Sequence, residues 1–338
     1  MLFNNVVIKS VAAVDAPQPV TSDEIKERLL PTFKKLKVRG NPLIDLAGIM
    51  ERRLWDVGML PSDAATLAAR QVLEKSDVDP SRVGVLINTS VSRDYIEPST
   101  ACMVHGNLRL PDTCESFDVG NACLAFINGM NIAGRMLERG ELDYAMVVNA
   151  ESSREITEGT IQRLSSPDVT KTQFKGEFAT LTLGSGSAAM LLSRGDLEPD
   201  GHQYKGGVSR AACQFNNLCF GSTQQMWTDT RSLLIEGLKL AGMTFSAARQ
   251  ILGWMVNELD HYVIHQVSKA HTESFCKRFG VDPAKVHRIF PMLGNIGPAS
   301  IPTVLAKIVE EDKVRRGDRV ALMGIGSGLN CSMAEVVW

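Results

Sequence analysis

The chain has 338 residues, 44% of them apolar and 22% charged, and 36 basic against 38 acidic side chains leave a formal net charge of -2. That length suits one large core or two of half the size, and the near-neutral balance offers no polyelectrolyte surface for nucleic acid. Seven scattered cysteines, an odd number in a long chain, argue against a disulfide framework.

The first segment, MLFNNVVIKSVAAVDAPQPV, is apolar in flavour, but Asn4, Asn5, Lys9 and Asp15 interrupt it before a signal-peptide core can form. No later run approaches the roughly 18–20 apolar residues of a membrane span. A cytoplasmic protein without an integral membrane segment is therefore expected. At Thr21, TSDE offers a capping box with Glu24 and predicts a helix through IKERLLPTFKKL. A second helix is predicted over SDAATLAARQVLEKS (62–76), with Ser62 as its N-cap.

Five short apolar runs lack the in-out alternation of a half-exposed strand: VGVLIN (83–88), YAMVV (144–148), AAMLL (188–192), YVIH (262–265) and VALMG (320–324). Such runs suit a parallel sheet covered on both faces. Alternating with helices, they define an α/β fold.

The second half can be laid over the first. VGVLINTSVSRD (83–94) pairs with HYVIHQVSKAH (261–271), each an apolar strand followed by a polar run with Val-Ser and a basic residue. NACLAFINGMNIAGRMLERGELDYAMVVNAES (121–152) pairs with NIGPASIPTVLAKIVEEDKVRRGDRVALMGIGSG (295–328). Both read as asparagine, small residues, an apolar helix, a charged turn, an apolar strand and a loop. A duplicated unit follows, with halves 1–195 and 196–338 meeting in the polar stretch SRGDLEPDGHQYKGG (193–207).

Cys123 heads the first of these helices, whose apolar residues cover most of its circumference, as in a buried central helix. A helix N-terminus stabilises a thiolate and can bind an oxyanion, although most cysteines simply fill space. His265 closes a strand at an edge where α/β proteins build sites. Asn295 stands in the glycine-flanked loop LGNIGPAS. On equivalent edges of two repeats, the three suggest a Cys/His/Asn site. A zinc site is not expected at His261, His265 and His271, because no CxxC pair exists and HYVIH lacks the glutamate of HExxH. Cys102, Cys114, Cys213, Cys219, Cys276 and Cys331 are expected to pack in the core. His105, His202, His271 and His287 are expected at the surface, and the charged stretch 151–178 as a solvated excursion or a mobile cover, mixing helix and loop.

DVGNACLAFINGM resembles the nucleophile segment of the thiolase superfamily, IHQVS its β-ketoacyl synthase III histidine motif, and GNIGPASIP the corresponding asparagine motif. GIGSGLN (324–330) falls where those enzymes carry a final glycine loop. The resemblance implies a thiolase-like five-layer αβαβα fold of two duplicated halves, a homodimer, and an acyl group carried on Cys123. NTSVSRDYIEPSTA (88–101) and the C-terminal GIGSGLNCSMAEVVW further resemble the branch that joins two fatty acyl-CoA molecules head to head. Synthase III carries an arginine after TGI; this chain has Met50 in AGIMERRLWD.

That branch implies a non-decarboxylative Claisen condensation to a β-keto acid, the first step of long-chain olefin synthesis, with coenzyme A thioesters as substrates and no cofactor. Backbone amides of Cys123 and Ser327 would bind the oxyanion. Glu97, in DYIEPSTA, would be the base that removes the α-proton, reaching across the dimer interface into the partner's site. A complex with downstream pathway enzymes is also implied. Open alternatives are a decarboxylating synthase III using malonyl-carrier protein, a hydroxymethylglutaryl-CoA synthase, and a non-catalytic partner subunit of a heterodimeric synthase.

Overall fold

Strands that are apolar on both faces need cover on both faces. In the computed structural model, which describes residues 2–338, one mixed sheet contains β1 (Val6–Asp15), β2 (Val83–Asn88), β3 (Glu115–Asp118), β4 (Tyr144–Glu151), β5 (Gly186–Arg194), β6 (His202–Ala211), β7 (His261–Ile264), β8 (Arg319–Gly326) and β9 (Asn330–Val337). Their spatial order is β7-β8-β9-β6-β1-β5-β4-β2-β3. β2 is parallel to β3 and β4, and β7 to β8; the other neighbours are antiparallel. AAMLL, inside β5, thus differs from the parallel strand expected of it: it opposes both β1 and β4. An apolar run records burial on two faces, which says nothing about strand direction.

Read outward from the centre, the first half runs β1, β5, β4, β2, β3 and the second β6, β9, β8, β7. Beyond β7, Val286 makes a lone parallel bridge to Tyr262, in the place that β3 takes in the first half. The two halves thus share one topology. They join where β1 meets β6, through the pairs Val7–Gln203 and Ile8–His202.

The principal helices are α1 (Ser22–Arg28), α2 (Leu30–Leu36), α3 (Pro61–Ser76), α4 (Thr100–Leu108), α5 (Ala125–Glu138), α6 (Arg154–Leu164), α7 (Lys171–Glu177), α8 (Thr230–Ile251), α9 (Lys269–Phe279) and α10 (Ser300–Glu310). Alternate residues of each strand enter different cores. In β4, Ala145 and Val147 face the central core with Phe126, Met130, Val304 and Leu305, while Met146 and Val148 face an outer core with Ala65, Ala68 and Val104. In β8, Val320 and Leu322 face the centre, and Ala321 and Met323 face Leu240 and Phe275. The layers are therefore α3 and α4, the first half-sheet, α5 and α10, the second half-sheet, then α8 and α9. This is the five-layer αβαβα arrangement.

Local departures from expectation have local causes. Thr21 and Glu24 do form a reciprocal capping box. The helix nevertheless breaks at Leu29, with Pro31 in the first turn of α2, because proline has no N–H to continue the ladder. In α3 the N-cap is Leu60 rather than Ser62, and Pro61 occupies the first helical position. The 151–178 stretch is no solvated excursion: Ile161, Leu164, Val169 and Phe174 pack with Ile25, Leu29, Phe33, Leu43 and Leu181. Cys102 and Cys213 are exposed and Cys219 is half-buried, whereas Cys114, Cys276 and Cys331 are core residues. None of His105, His202, His271 and His287 is exposed; His202 stacks on Trp338, ring centroids 3.6 Å apart.

Candidate active site

β3 delivers the chain to the nucleophile segment, and the Asp118 carboxylate anchors its end by accepting from the amides of Thr100 and Ala101 and from Asn88 Nδ2. Cys123 then lies in a single 3-10 turn, Ala122–Leu124, that leads into α5. Ala122 before it has φ 45°, a left-handed conformation that disfavours any residue with a Cβ. Side-chain amides hold the turn: Asn330 Nδ2 donates to Asn121 Oδ1 at 3.0 Å, and Asn121 Nδ2 donates to Asn128 Oδ1 at 2.7 Å. These contacts tie the nucleophile in the first half to β9 in the second.

The end of β8 runs against that turn. A Cβ on Gly326 would sit 3.2 Å from Asn121 O and 3.4 Å from the Cys123 nitrogen, so the strand end lies in close contact with the nucleophile turn. Ser327 follows at once, half-buried in the turn to β9. On Gly324 a Cβ would lie 2.6 Å from Leu124 Cδ2, 3.3 Å from Ile301 Cδ1 and 3.9 Å from His265 Cβ. His265 itself is 4% exposed, its backbone N–H donating to Met323 O at 2.8 Å. Asn295 is clamped at its backbone, donating to Thr182 O and accepting from Gly184 N, both at 2.9 Å. Its Oδ1 accepts from Gly297 N at 3.0 Å, and its side chain meets that of His265. The following turn, Gly297–Ala299, packs directly on Ala122–Leu124. Cys123, His265, Asn295 and Ser327 thus come from four loops at one seam between the half-sheets.

Burial dominates the electrostatics here. It lowers the His265 imidazole to about 3, helped by His271 and opposed by Asn295, so the ring is neutral. It pushes the Cys123 thiol up to about 12, with Cys219 and Glu151 adding to the effect. The resting pair is therefore thiol and neutral imidazole, against the expectation that the helix N-terminus would hold a thiolate. A neutral imidazole is the form able to accept a proton.

Glu97 is elsewhere. It is exposed on the loop 89–99 and forms a cis bond with Pro98. Ile96 beside it is 93% exposed, with Tyr95 and Val91 also open to solvent. Glu151 escaped the sequence reading because it opens a charged stretch. It ends β4, is 7% exposed, and burial raises its carboxyl to about 7. Among the described residues, no group of three or more His, Cys, Asp or Glu side chains is placed to hold a metal ion, and no helix is long and apolar enough to cross a membrane.

Residues 250–338 match the family model described as 3-oxoacyl-[acyl-carrier-protein (ACP)] synthase III C terminal. The chain is 59% identical, over all of both chains, to the acyl-CoA:acyl-CoA alkyltransferase of Xanthomonas campestris pv. campestris. It is 34% identical, again over all of both, to the enzyme of that name in Shewanella oneidensis. The solved structure of cerulenin-bound OleA from Xanthomonas superposes with a TM-score of 0.99 at 59% identity, covering 100% of this chain and 98% of that one. Further solved forms of that OleA carry single replacements of a glutamate, a cysteine and a histidine, which follow one another at the same spacings as Glu97, Cys123 and His265.

Proposed function

The chain belongs to the acyl-CoA:acyl-CoA alkyltransferase family, and on that premise we propose that it joins two long-chain fatty acyl-CoA molecules by a non-decarboxylative Claisen condensation, the first step of long-chain olefin biosynthesis. Cys123 attacks the first thioester carbonyl, its proton passing to the neutral His265 and on to the departing CoA thiolate. The amides of Cys123 and Ser327 bind the oxyanion of this step.

The second acyl-CoA has no carboxylate to lose, so its α-proton must be removed by a base. Glu97 of the partner subunit supplies that base in a homodimer, and its setting among exposed apolar side chains supports a loop made to be covered by a second copy. His265 and Asn295 stabilise the enolate oxygen. The enolate carbon attacks the Cys123 thioester, expelling the Cys123 thiolate, which takes up a proton as the base gives back the one it removed, and giving a 2-alkyl-3-oxoacyl-CoA, which water hydrolyses to the β-keto acid and CoA. Coenzyme A thioesters suffice, without a cofactor. We assign the nucleophile and base to an N-terminal half, residues 1–195, and the histidine and asparagine to a C-terminal half, residues 196–338. We further assign the enzyme to the cytoplasm, with its product passed to downstream enzymes of the pathway.

The observation that carries this reading is the meeting of the Cys123 turn, His265 and Asn295 around Gly324 and Gly297. Myristoyl-CoA alone tests it: CoA release together with the long-chain ketone left by decarboxylation of the β-keto acid is expected. Product only when malonyl-carrier protein is added would overturn it in favour of a decarboxylating synthase III. Condensation surviving in C123A would remove the nucleophile assignment.

A further inference from the structure

The Glu151 carboxylate lies between two parts of the machinery that the fold otherwise keeps apart. Its Oε1 accepts from the Val91 amide at 2.8 Å; its Oε2 accepts from the Ser92 amide at 3.1 Å and from Ser92 Oγ at 2.9 Å. Ser92 Oγ in turn accepts from Ser152 N at 3.0 Å, which closes the clamp on the β4 side. Both amides belong to the loop 89–99 that carries Glu97. On its other side Glu151 backs onto the active-site floor: a Cβ on Gly297 would lie 3.4 Å from Glu151 Cγ, two residues after Asn295. The backbone of Glu151 is fixed as well, its carbonyl accepting from Trp55 Nε1 at 3.0 Å.

A buried carboxylate is costly unless its oxygens are hydrogen-bonded, and here these three donors come from one loop. We propose that Glu151 is a positioning residue: by holding the amides of Val91 and Ser92 it sets the root of the loop that presents Glu97, and so serves the condensation step without touching substrate. This rests on the assignment of Glu97 as the base. In E151Q one oxygen of the side chain becomes an amide nitrogen, so above pH 7, where the parent is an ionised carboxylate, a loop amide faces a donor where it had an acceptor. The side chain keeps its shape, and the Cys123 turn keeps its own anchors, Asn121, Asn128 and Asn330.

The two half-reactions separate this role from a general loss of structure. With myristoyl-CoA, E151Q should still form acyl-Cys123 stoichiometrically in a single turnover, read by intact mass and by released CoA, while β-keto acid formation falls by about 100-fold, the penalty of a catalytic group displaced by about 1 Å. S92A, which removes one of the three donors, should show the same split with a smaller loss. Acylation and condensation falling by the same factor in E151Q, or condensation at the parental rate, would overturn the proposal. E97Q is the reference: if it condenses at the parental rate, the base assignment itself fails, whereas an inactive E97Q beside a fully active E151Q removes the positioning role alone.

Discussion

Glu151 also makes a thermodynamic prediction. Its carboxyl is raised from 4.5 to about 7 chiefly by burial, against the opposing hydrogen bonds from Val91 and Ser92. The native protein therefore keeps a proton that the unfolded chain releases near pH 4.5. The associated stability is fully present below that pH and is lost as pH rises through 7. At 1.36 kcal/mol per pH unit, the loss between pH 5 and pH 8 is about 2–3 kcal/mol. Glutamine at 151 cannot titrate, so E151Q should lack this component. Urea unfolding of parent and variant at both pH values, at one fixed protomer concentration, isolates it, because every other titrating group cancels in the comparison. The parent should lose about 2–3 kcal/mol more than E151Q between the two pH values. Equal losses in the two proteins would refute the reasoning and mean that the carboxylate is solvated or paired in the native state.

Three further outcomes are expected. Because His265 is held neutral down to about 3, acyl transfer to Cys123 should show no histidine break between about pH 5 and pH 8; an acid limb with its midpoint near the ordinary histidine value would count against a neutral imidazole. Co-expressed E97Q and C123A chains, each inactive alone, should regain about one quarter of parental condensation, since half the dimers are mixed and each has one intact shared site; no recovery from isolated mixed dimers would show that the base acts within its own chain. At Gly184 an added Cβ would lie 1.9 Å from Leu293 O, so G184A should cost about 1–3 kcal/mol in denaturant unfolding and disturb the Gly184–Asn295 hydrogen bond, seen as weakened condensation; parental stability and rate would show that the loop yields freely.

Much of this was legible in the residues. VGVLIN and YAMVV read as strands because Val85, Leu86, Ala145 and Met146 are buried from both sides, and such residues must all be apolar. Cys123, His265 and Asn295 stood out because each lies at the end of a repeat element where the pattern changes to small or polar residues. β1 and β6 were hidden: Lys9 and Ser10 interrupt the first, and Gly206 and Gly207 the second, so neither presents a continuous apolar run. Gly207 is tolerated because β9 passes so close that a Cβ would meet Met333 O at 2.1 Å, a fact of pairing with a strand more than a hundred residues away. Glu151 was hidden for a related reason. Two of its three donors are the amides of residues 91 and 92, which carry no side-chain signature, and the third is the hydroxyl of Ser92, 59 residues away in the chain.

The position of β9 bears on how the enzyme comes into being. This strand is synthesised after all the others, yet it lies inside the sheet between β8 and β6, and its first residue, Asn330, holds the Cys123 turn through Asn121. The nucleophile thus belongs to the first half of the chain, and its brace to the last strand the chain lays down.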